Sequence, residues 1–171
     1  MKLDPWLRFS LVFGGLALLS EILYYAVVLG SSGLELYLHA LAWVSTGLVR
    51  VFDPEVVTYG SQLGSGFFVV DIAPECDAIQ LAAMLAAAIV AFPAPLKSRL
   101  WGIAVCLALL QIVNFARIVS LYYIGGNHAS HFHAAHEVWW PALLIAFTVS
   151  VWIAWARIAT RDGGDDSRPP A

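Results

Sequence analysis

The sequence predicts an all-α integral membrane bundle, and its composition and the length of its apolar stretches both support this fold class. Of the 171 residues, 60% are hydrophobic and only 12% are charged, whereas soluble domains carry about 25% charged residues. Four apolar stretches reach the length of about 20 residues that a spanning helix requires. We therefore predict one membrane-embedded domain over residues 1–161, followed by a polar tail, 162–171, whose composition is typical of disorder.

The four predicted spanning helices are oriented by the basic residues around them. They lie at 8–30, 77–93, 100–124 and 138–158. The basic flanks are Lys2 and Arg8, Lys97 and Arg99, and Arg157 and Arg161. Because Lys and Arg concentrate in short cytoplasmic loops, all three flanks are assigned to the cytoplasm. The helix over 77–93 then runs inward, so its first residues lie at the outer face of the membrane.

The segment 34–53 is long enough to span the membrane but carries a polar stripe. Its polar residues are Glu35, His39, Ser45, Thr46, Arg50 and Asp53, and all of them except Ser45 fit one helical stripe. A fifth crossing at this point would reverse the sides of the helices that follow. We therefore predict one amphipathic helix lying in the outer interface. The alternative is a true spanning helix whose polar face turns into the bundle.

A small extracytoplasmic β-hairpin is predicted between this helix and the next. Residues 56–59 and 67–70 are β-branched and aromatic runs, and the glycine-rich stretch 60–66 separates them. Such runs with a glycine-rich connection are typical of a hairpin.

Three chemically reactive side chains are predicted to lie at one depth in the membrane. At about 1.5 Å of rise per residue, Cys76 and Arg117 both lie about 26–27 Å from the cytoplasmic turn at 93–99. His136 begins the last helix, also at the outer face. The count gives depth only; lateral proximity requires that the helices pack with these faces inward.

Cys76 is a candidate nucleophile because it lies at a membrane boundary behind Pro74, a residue that favours a helix start. The reactive form of cysteine is the thiolate, which a nearby cation stabilises. Glu75 and Asp77 oppose a further negative charge, so the site requires a positive partner. Cys106 falls near the middle of an apolar helix and is interpreted as an ordinary packing residue, with no disulfide to Cys76.

Arg117 interrupts an apolar helix, and a charge there costs about 2.5–3.5 kcal/mol at the bilayer centre. Together with Gln111 and Asn114 it forms a polar stripe along one side of the helix. We predict that Arg117 faces the bundle and binds a functional group. The alternative is snorkelling toward an interface marked by Tyr122 and Tyr123.

The histidines at 128, 131, 133 and 136 allow two interpretations. One is a metal site, because imidazole suits zinc or copper, although the spacing is not that of a zincin motif. The other is one general base among loop residues. For that role we favour His136, which precedes an aromatic belt at Trp139 and Trp140, with His133 as the alternate.

The order and spacing of these residues resemble the exosortase/archaeosortase family, most closely its compact exosortase H group. The resemblance rests on Cys76 at a helix start, on Asn114-x-x-Arg117-Ile118, and on Phe132-x-x-x-His136, and it covers roughly 34–158. Asp77 and Ala78 depart from the small Ser-Gly-type residues that often follow the cysteine in this family.

The resemblance implies a membrane cysteine protease or transpeptidase with Cys76, Arg117 and His136 as catalytic residues and no metal or cofactor. Asn114 and Gln80 are expected to support the site or bind substrate. The expected substrates are exported proteins with a C-terminal sorting tail, cleaved at the outer face of the bacterial cytoplasmic membrane and passed to water, a lipid or a glycan. Two alternatives remain: a histidine-dependent metal-binding membrane protein, and a non-catalytic assembly factor.

Overall fold

The structure is a computed structural model that describes residues 4–165. Six α-helices and a three-stranded sheet make up the regular structure of this part of the chain. The helices are α1 (Pro5–Leu23), α2 (Ser32–Val49), α3 (Ile79–Ala91), α4 (Leu96–Asn127), α5 (Ala129–Ala134) and α6 (Trp140–Asp165). A π-helical turn, Tyr24–Val28, continues α1, and a second one, Ala135–Trp139, joins α5 to α6.

Three helical segments are long and apolar enough to cross a membrane: Pro5–Val28, Leu96–Asn127 and Ala129–Arg161. Large apolar side chains such as Trp6 and Leu18 are exposed along the first of them, as expected of a surface that faces lipid. The predicted helical membrane fold is therefore confirmed.

The structure differs from the prediction at the second helix. Helix α3 has only 13 residues, fewer than the roughly 20 that span a bilayer. A short 3₁₀ turn, Pro74–Cys76, precedes the predicted start at residue 77, and the positive φ of Ala78 separates this turn from α3, which begins at Ile79.

The chain divides into two compact units. The first contains the residues before Leu23, Ile79–Leu110, and the residues from Ile145 onward. Aromatic rings pack within it: Phe92 contacts both Trp152 and Trp155, with ring centroids 5.9 and 5.6 Å apart. The Trp155 indole N–H also donates a hydrogen bond to the Ser98 carbonyl. Gly102 lies against that indole so closely that a Cβ would overlap it, so this packing requires glycine.

The second unit contains Leu23–Ala78 and Gln111–Leu144. Its helix α2 begins behind Ser31, whose hydroxyl accepts a hydrogen bond from the Leu34 N–H as an N-cap. Leu34, Leu38 and Leu41 lie on the buried face of α2.

The predicted polar stripe is wrong at Thr46, which is only 2% exposed, and the neighbouring Ser45 is 0% exposed. They join the buried face because their side chains are small, and the Thr46 hydroxyl accepts a hydrogen bond from Thr58. Helix α2 is not among the three candidate spans found in residues 4–165, and its place at the interface stays a prediction.

Where the sequence predicts a hairpin, the structure has a three-stranded antiparallel sheet in the order β1-β2-β3. The strands are β1 (Val57–Tyr59), β2 (Gln62–Gly64) and β3 (Val69–Asp71). The two predicted strands therefore do not pair with each other, because the stretch assigned to the connection contains β2. Gly60, at φ +63°, allows the tight turn between β1 and β2.

Helix α6 extends to Asp165, so the first four residues of the predicted tail, 162–165, are helical. The remainder of that tail, 166–171, lies outside the described residues.

Candidate active site

Cys76 is the last residue of the 3₁₀ turn and is fixed through its backbone. Its N–H donates to the Ala73 carbonyl at 2.8 Å, and its carbonyl accepts a hydrogen bond from the Asn114 side chain at 3.0 Å. Pro74 begins the turn, where its ring suits the required φ and no N–H is needed. The residue is 4% exposed, so its thiol lies within the protein rather than on its surface.

The His136 imidazole contacts the Cys76 thiol. The His136 Nε2 atom lies 3.4 Å from the Cys76 Sγ atom. His136 belongs to the π-helical turn before α6, a type of distortion that occurs frequently at functional sites. Its ring stacks on Phe132, with centroids 5.9 Å apart, and Phe132 in turn packs against Phe68. These contacts hold the imidazole plane in place beside the sulfur.

His133 has a different partner. Its Nδ1 atom lies 3.1 Å from a carboxylate oxygen of Glu137, and the histidine side chain is 81% exposed. The structure thus pairs His136 with Cys76 and His133 with Glu137, although the sequence left both histidines open as the general base.

Of the polar stripe predicted on α4, Gln111 is half-buried and the other two residues are buried. Asn114 is fully buried and Arg117, one helical turn further along, is 4% exposed. Burial of the guanidinium favours a role inside the protein over snorkelling toward water. Among the described residues, the Asn114 Oδ1 atom has no hydrogen-bond partner, while the same side chain anchors the Cys76 carbonyl through Nδ2. This leaves a buried acceptor beside the backbone of Cys76.

Two tyrosines that sequence reasoning missed hold the residue after the cysteine. The Tyr24 hydroxyl donates to the buried Asp77 carboxylate at 2.9 Å. The Tyr37 hydroxyl lies 3.1 Å from the Asp77 carbonyl and 3.0 Å from Gln111 Oε1. Burial, and then the charge of Asp77, raise the pKa of Tyr37, so it remains a neutral donor. Tyrosines near a membrane boundary are common, so no sequence pattern distinguishes these two from the others.

A cavity of about 330 Å³ lies alongside the thiol and the imidazole. Its walls include Ile118, Leu121 and Phe132 and the segment 68–73, which contains strand β3. A substrate segment that entered this cavity would reach both Cys76 and His136, because both residues line it.

Comparison with known families identifies the family of the chain. The family model described as transmembrane exosortase (Exosortase_EpsH) matches residues 5–155. The protein belongs to the transmembrane exosortase family. No curated protein and no solved structure matches the chain. The family resemblance found in the sequence is confirmed, and the match also includes α1, which the motifs did not cover. The exosortase is accordingly a multi-pass membrane protein.

This exosortase has Ala78 where the Ser-Gly-type pattern has a glycine, and the backbone conformation at this position is one that suits glycine. Ala78 has φ +60°, a conformation that favours glycine and that costs other residues roughly 1–2 kcal/mol. A glycine at this position would adopt it without strain. The position therefore has a backbone requirement, and Ala78 satisfies it at some cost in stability.

Gln80 lies in the first unit, where its side-chain amide donates to Glu21 at 2.8 Å. Glu21 is an acidic residue within a candidate membrane span, and sequence reasoning missed it. The predicted supporting role of Gln80 in the active site stays a prediction.

The histidines at 128, 131, 133 and 136 are the alternative metal site that the sequence allows. Over residues 4–165, no group of three or more His, Cys, Asp or Glu side chains is arranged to hold a metal ion. His128 and His131 contact each other edge to face, and His131 packs near Trp139.

Proposed function

We propose that this exosortase is a membrane cysteine protease or transpeptidase in which Cys76 is the nucleophile and His136 the general acid and base. The observation that carries the proposal is the 3.4 Å distance between Cys76 Sγ and His136 Nε2. A nucleophile within reach of a base that packing orients is the arrangement that covalent catalysis requires. Membership of the exosortase family supports the same chemistry.

The reaction proceeds through a thioester. The Cys76 thiol gives its proton to His136, and the sulfur attacks a carbonyl carbon of the substrate. When the tetrahedral intermediate collapses, the C–N bond breaks and His136 returns the proton to the departing amine. An acceptor nucleophile then gives a proton to His136 and attacks the thioester, which releases the product and restores the thiol.

Arg117 supplies positive charge to this reaction in the proposal. A buried guanidinium can stabilise the oxyanion that develops on the substrate carbonyl, or the thiolate itself. The hydrogen bond from Asn114 to the Cys76 carbonyl supports the scheme, because it ties the helix that carries Arg117 to the nucleophile. Asn114 is a positioning residue in this scheme.

The proposed substrates are exported proteins with a C-terminal sorting tail, cleaved at the outer face of the bacterial cytoplasmic membrane. The orientation follows from the basic residues at Lys97, Arg99, Arg157 and Arg161, which the positive-inside rule assigns to the cytoplasm. The acceptor is water, a lipid or a glycan, each of which can attack a thioester.

The test compares the two cysteines. Cys76→Ala should abolish cleavage of an exported protein that carries a sorting tail, as followed by its size on a gel and by the mass of its C terminus. Cys106→Ala is the matched control and should keep most of the cleavage, because Cys106 is buried among apolar residues. Equal loss in both variants, or normal cleavage with Cys76→Ala, would refute the assignment of the nucleophile.

A further inference from the structure

Strand β3 is an edge strand that leads directly to the proposed nucleophile. It pairs with β2 on one side and has no other strand beside it in the sheet formed by the described residues. Only Ile72, Ala73 and the 3₁₀ turn separate the end of β3 from the thiol of Cys76. A ligand on the open edge of β3 would therefore lie next to the reacting sulfur.

The register of the sheet identifies which backbone groups of β3 are open. The Ile72 N–H bonds to the Ser61 carbonyl, and the Ser65 N–H bonds to the Phe68 carbonyl. In an antiparallel pair, hydrogen-bonded residues alternate with residues whose N–H and C=O point the other way. The backbone groups of Val69 and Asp71 therefore point away from β2, toward the open edge.

The cavity beside Cys76 runs along this edge. It is lined by six consecutive residues, 68–73. Because side chains of a strand alternate between two faces, a cavity on one face would meet only every second residue. Contact with consecutive residues indicates that the cavity follows the backbone edge. Cys76 and His136 also line this cavity.

We propose that this edge binds an extended segment of the substrate as an additional β-strand and so delivers its scissile carbonyl to Cys76. The inference rests on the proposed function and adds how that site holds its substrate. An exposed edge supplies N–H and C=O groups at the spacing of an extended peptide, and strand addition to such an edge is a recurring mode of peptide recognition. A lipid chain has no groups that could satisfy them.

The side chains around the edge define the class of peptide. Ile118, Leu121 and Phe132 form an apolar wall, which suits neutral side chains. The proposed ligand is therefore an extended peptide whose side chains facing this wall are apolar.

The test measures how fast the purified full-length protein is labelled at Cys76 by two alkylating probes. One is the peptide probe acetyl-Ala-Val-Ala-Ala chloromethyl ketone, and the other is the small probe chloroacetamide. In both reactions the thiolate forms a C–S bond and chloride leaves, so mass spectrometry of the Cys76 peptide gives both rates. The ratio of the peptide rate to the chloroacetamide rate measures recognition of the peptide separately from reactivity of the thiol.

The proposal predicts that the ratio of the peptide rate to the chloroacetamide rate falls when one hydrogen bond at the edge is removed, either from β3 or from the peptide. Val69→Pro removes an outward N–H while sparing the hydrogen bonds to β2, and it should lower the ratio by about three- to tenfold. Val69→Ala keeps the N–H and should lower the ratio less than proline does. A peptide probe with one N-methylated amide should show a similar loss on the unmodified protein, which keeps the test decisive if the proline variant does not fold.

The outcomes separate the two proposals. If chloroacetamide labels Cys76 but no N-methyl position slows the peptide probe relative to its unmodified form, strand addition is refuted and the proposed function stands. If chloroacetamide does not label Cys76 in the folded protein, the proposed nucleophile fails as well.

Discussion

The two cysteines of this exosortase lie in different units and are equally buried, yet their surroundings differ in kind. Cys106, in the first unit, lines a cavity of about 490 Å³ whose walls include Val105, Leu109 and Val151. Cys76, in the second unit, has the His136 imidazole at its sulfur and the Asn114 amide at its carbonyl. Burial alone therefore does not distinguish the Cys106 thiol from that of the proposed nucleophile, Cys76. The polar groups next to Cys76 distinguish the two.

The same contrast extends to the units as a whole. In the first unit, packing of apolar and aromatic side chains dominates. In the second, two tyrosines and the Asn114 amide hold Asp77 and Cys76 through hydrogen bonds. If this part of the second unit is built for chemistry, changes to the polar groups around Cys76 should affect turnover or stability, whereas matched changes at other positions should affect little.

The largest expected effect separates the two histidines. His136→Ala should lower the cleavage rate by about 10²–10⁴-fold, the usual contribution of proton transfer, because the base at the sulfur is lost. His133→Ala is the control, since His133 pairs with Glu137 at the surface, and it should retain most of the rate. Processed fraction over time in a cleavage assay measures both variants. A larger defect from His133→Ala would exclude the role given to His136.

The next largest effect concerns the buried guanidinium. Arg117→Lys should reduce cleavage by on the order of 10²-fold, close to the effect of Arg117→Ala, because an ammonium cannot replace a planar set of donors. Arg157→Lys, at an exposed position near the end of α6, is the control. Cleavage by the Arg117→Lys protein at the normal rate, with normal membrane insertion, would indicate a structural role for this residue.

A smaller effect is expected from the tyrosines that hold Asp77. Tyr24→Phe removes the donor to a buried carboxylate and should lower the free energy of unfolding by about 1–3 kcal/mol. The neighbouring Tyr25 is 64% exposed, so Tyr25→Phe should leave stability nearly unchanged. Thermal unfolding of the detergent-purified variants gives the comparison. Equal melting temperatures for the two variants would show that the contact with Asp77 does not stabilise the second unit.

The smallest effect concerns pH. Hydrogen bonds, chiefly the one that Tyr122 donates, lower the pKa of Asp53. A lowered pKa means that this stabilisation is present above the ordinary pKa of about 4 and is lost as the pH falls through the folded value. Tyr122→Phe should weaken the loss of stability seen on acidification below about pH 4. Tyr123→Phe removes a hydrogen bond to the Val49 carbonyl instead, and it should leave that acid-dependent loss intact.

Counting along the sequence predicts a depth for each site residue but no contact between them. The basic flanks and the rise of a helix predict that Cys76, Arg117 and His136 lie at one depth in the membrane. Counting residues gives no lateral distance between them. The pairing of Cys76 with His136 spans 60 positions in the sequence, and the choice of His136 over His133 depends on the π-helical turn that precedes α6. A distortion of this kind has no clear sequence pattern.

Three further features were hidden from sequence reasoning for separate physical reasons. Strand β2 has the sequence Gln62-Leu63-Gly64, which lacks β-branched and aromatic residues, so tertiary pairing rather than propensity forms it. The shortening of α3 depends on the positive φ of Ala78, and alanine gives no sign of such a conformation. Tyr24 binds Asp77 across 53 positions, a separation that no local pattern encodes.

The pairing of Cys76 with His136 is the central claim, and the pH dependence of thiol alkylation tests it without any substrate. The rate at which iodoacetamide modifies Cys76 in the purified protein is measured at about pH 7 and at about pH 9, where a free thiol ionises without help. We expect His136→Ala to lower the ratio of the rate at pH 7 to the rate at pH 9, and His133→Ala to leave that ratio unchanged. An unchanged ratio in His136→Ala would contradict the pairing.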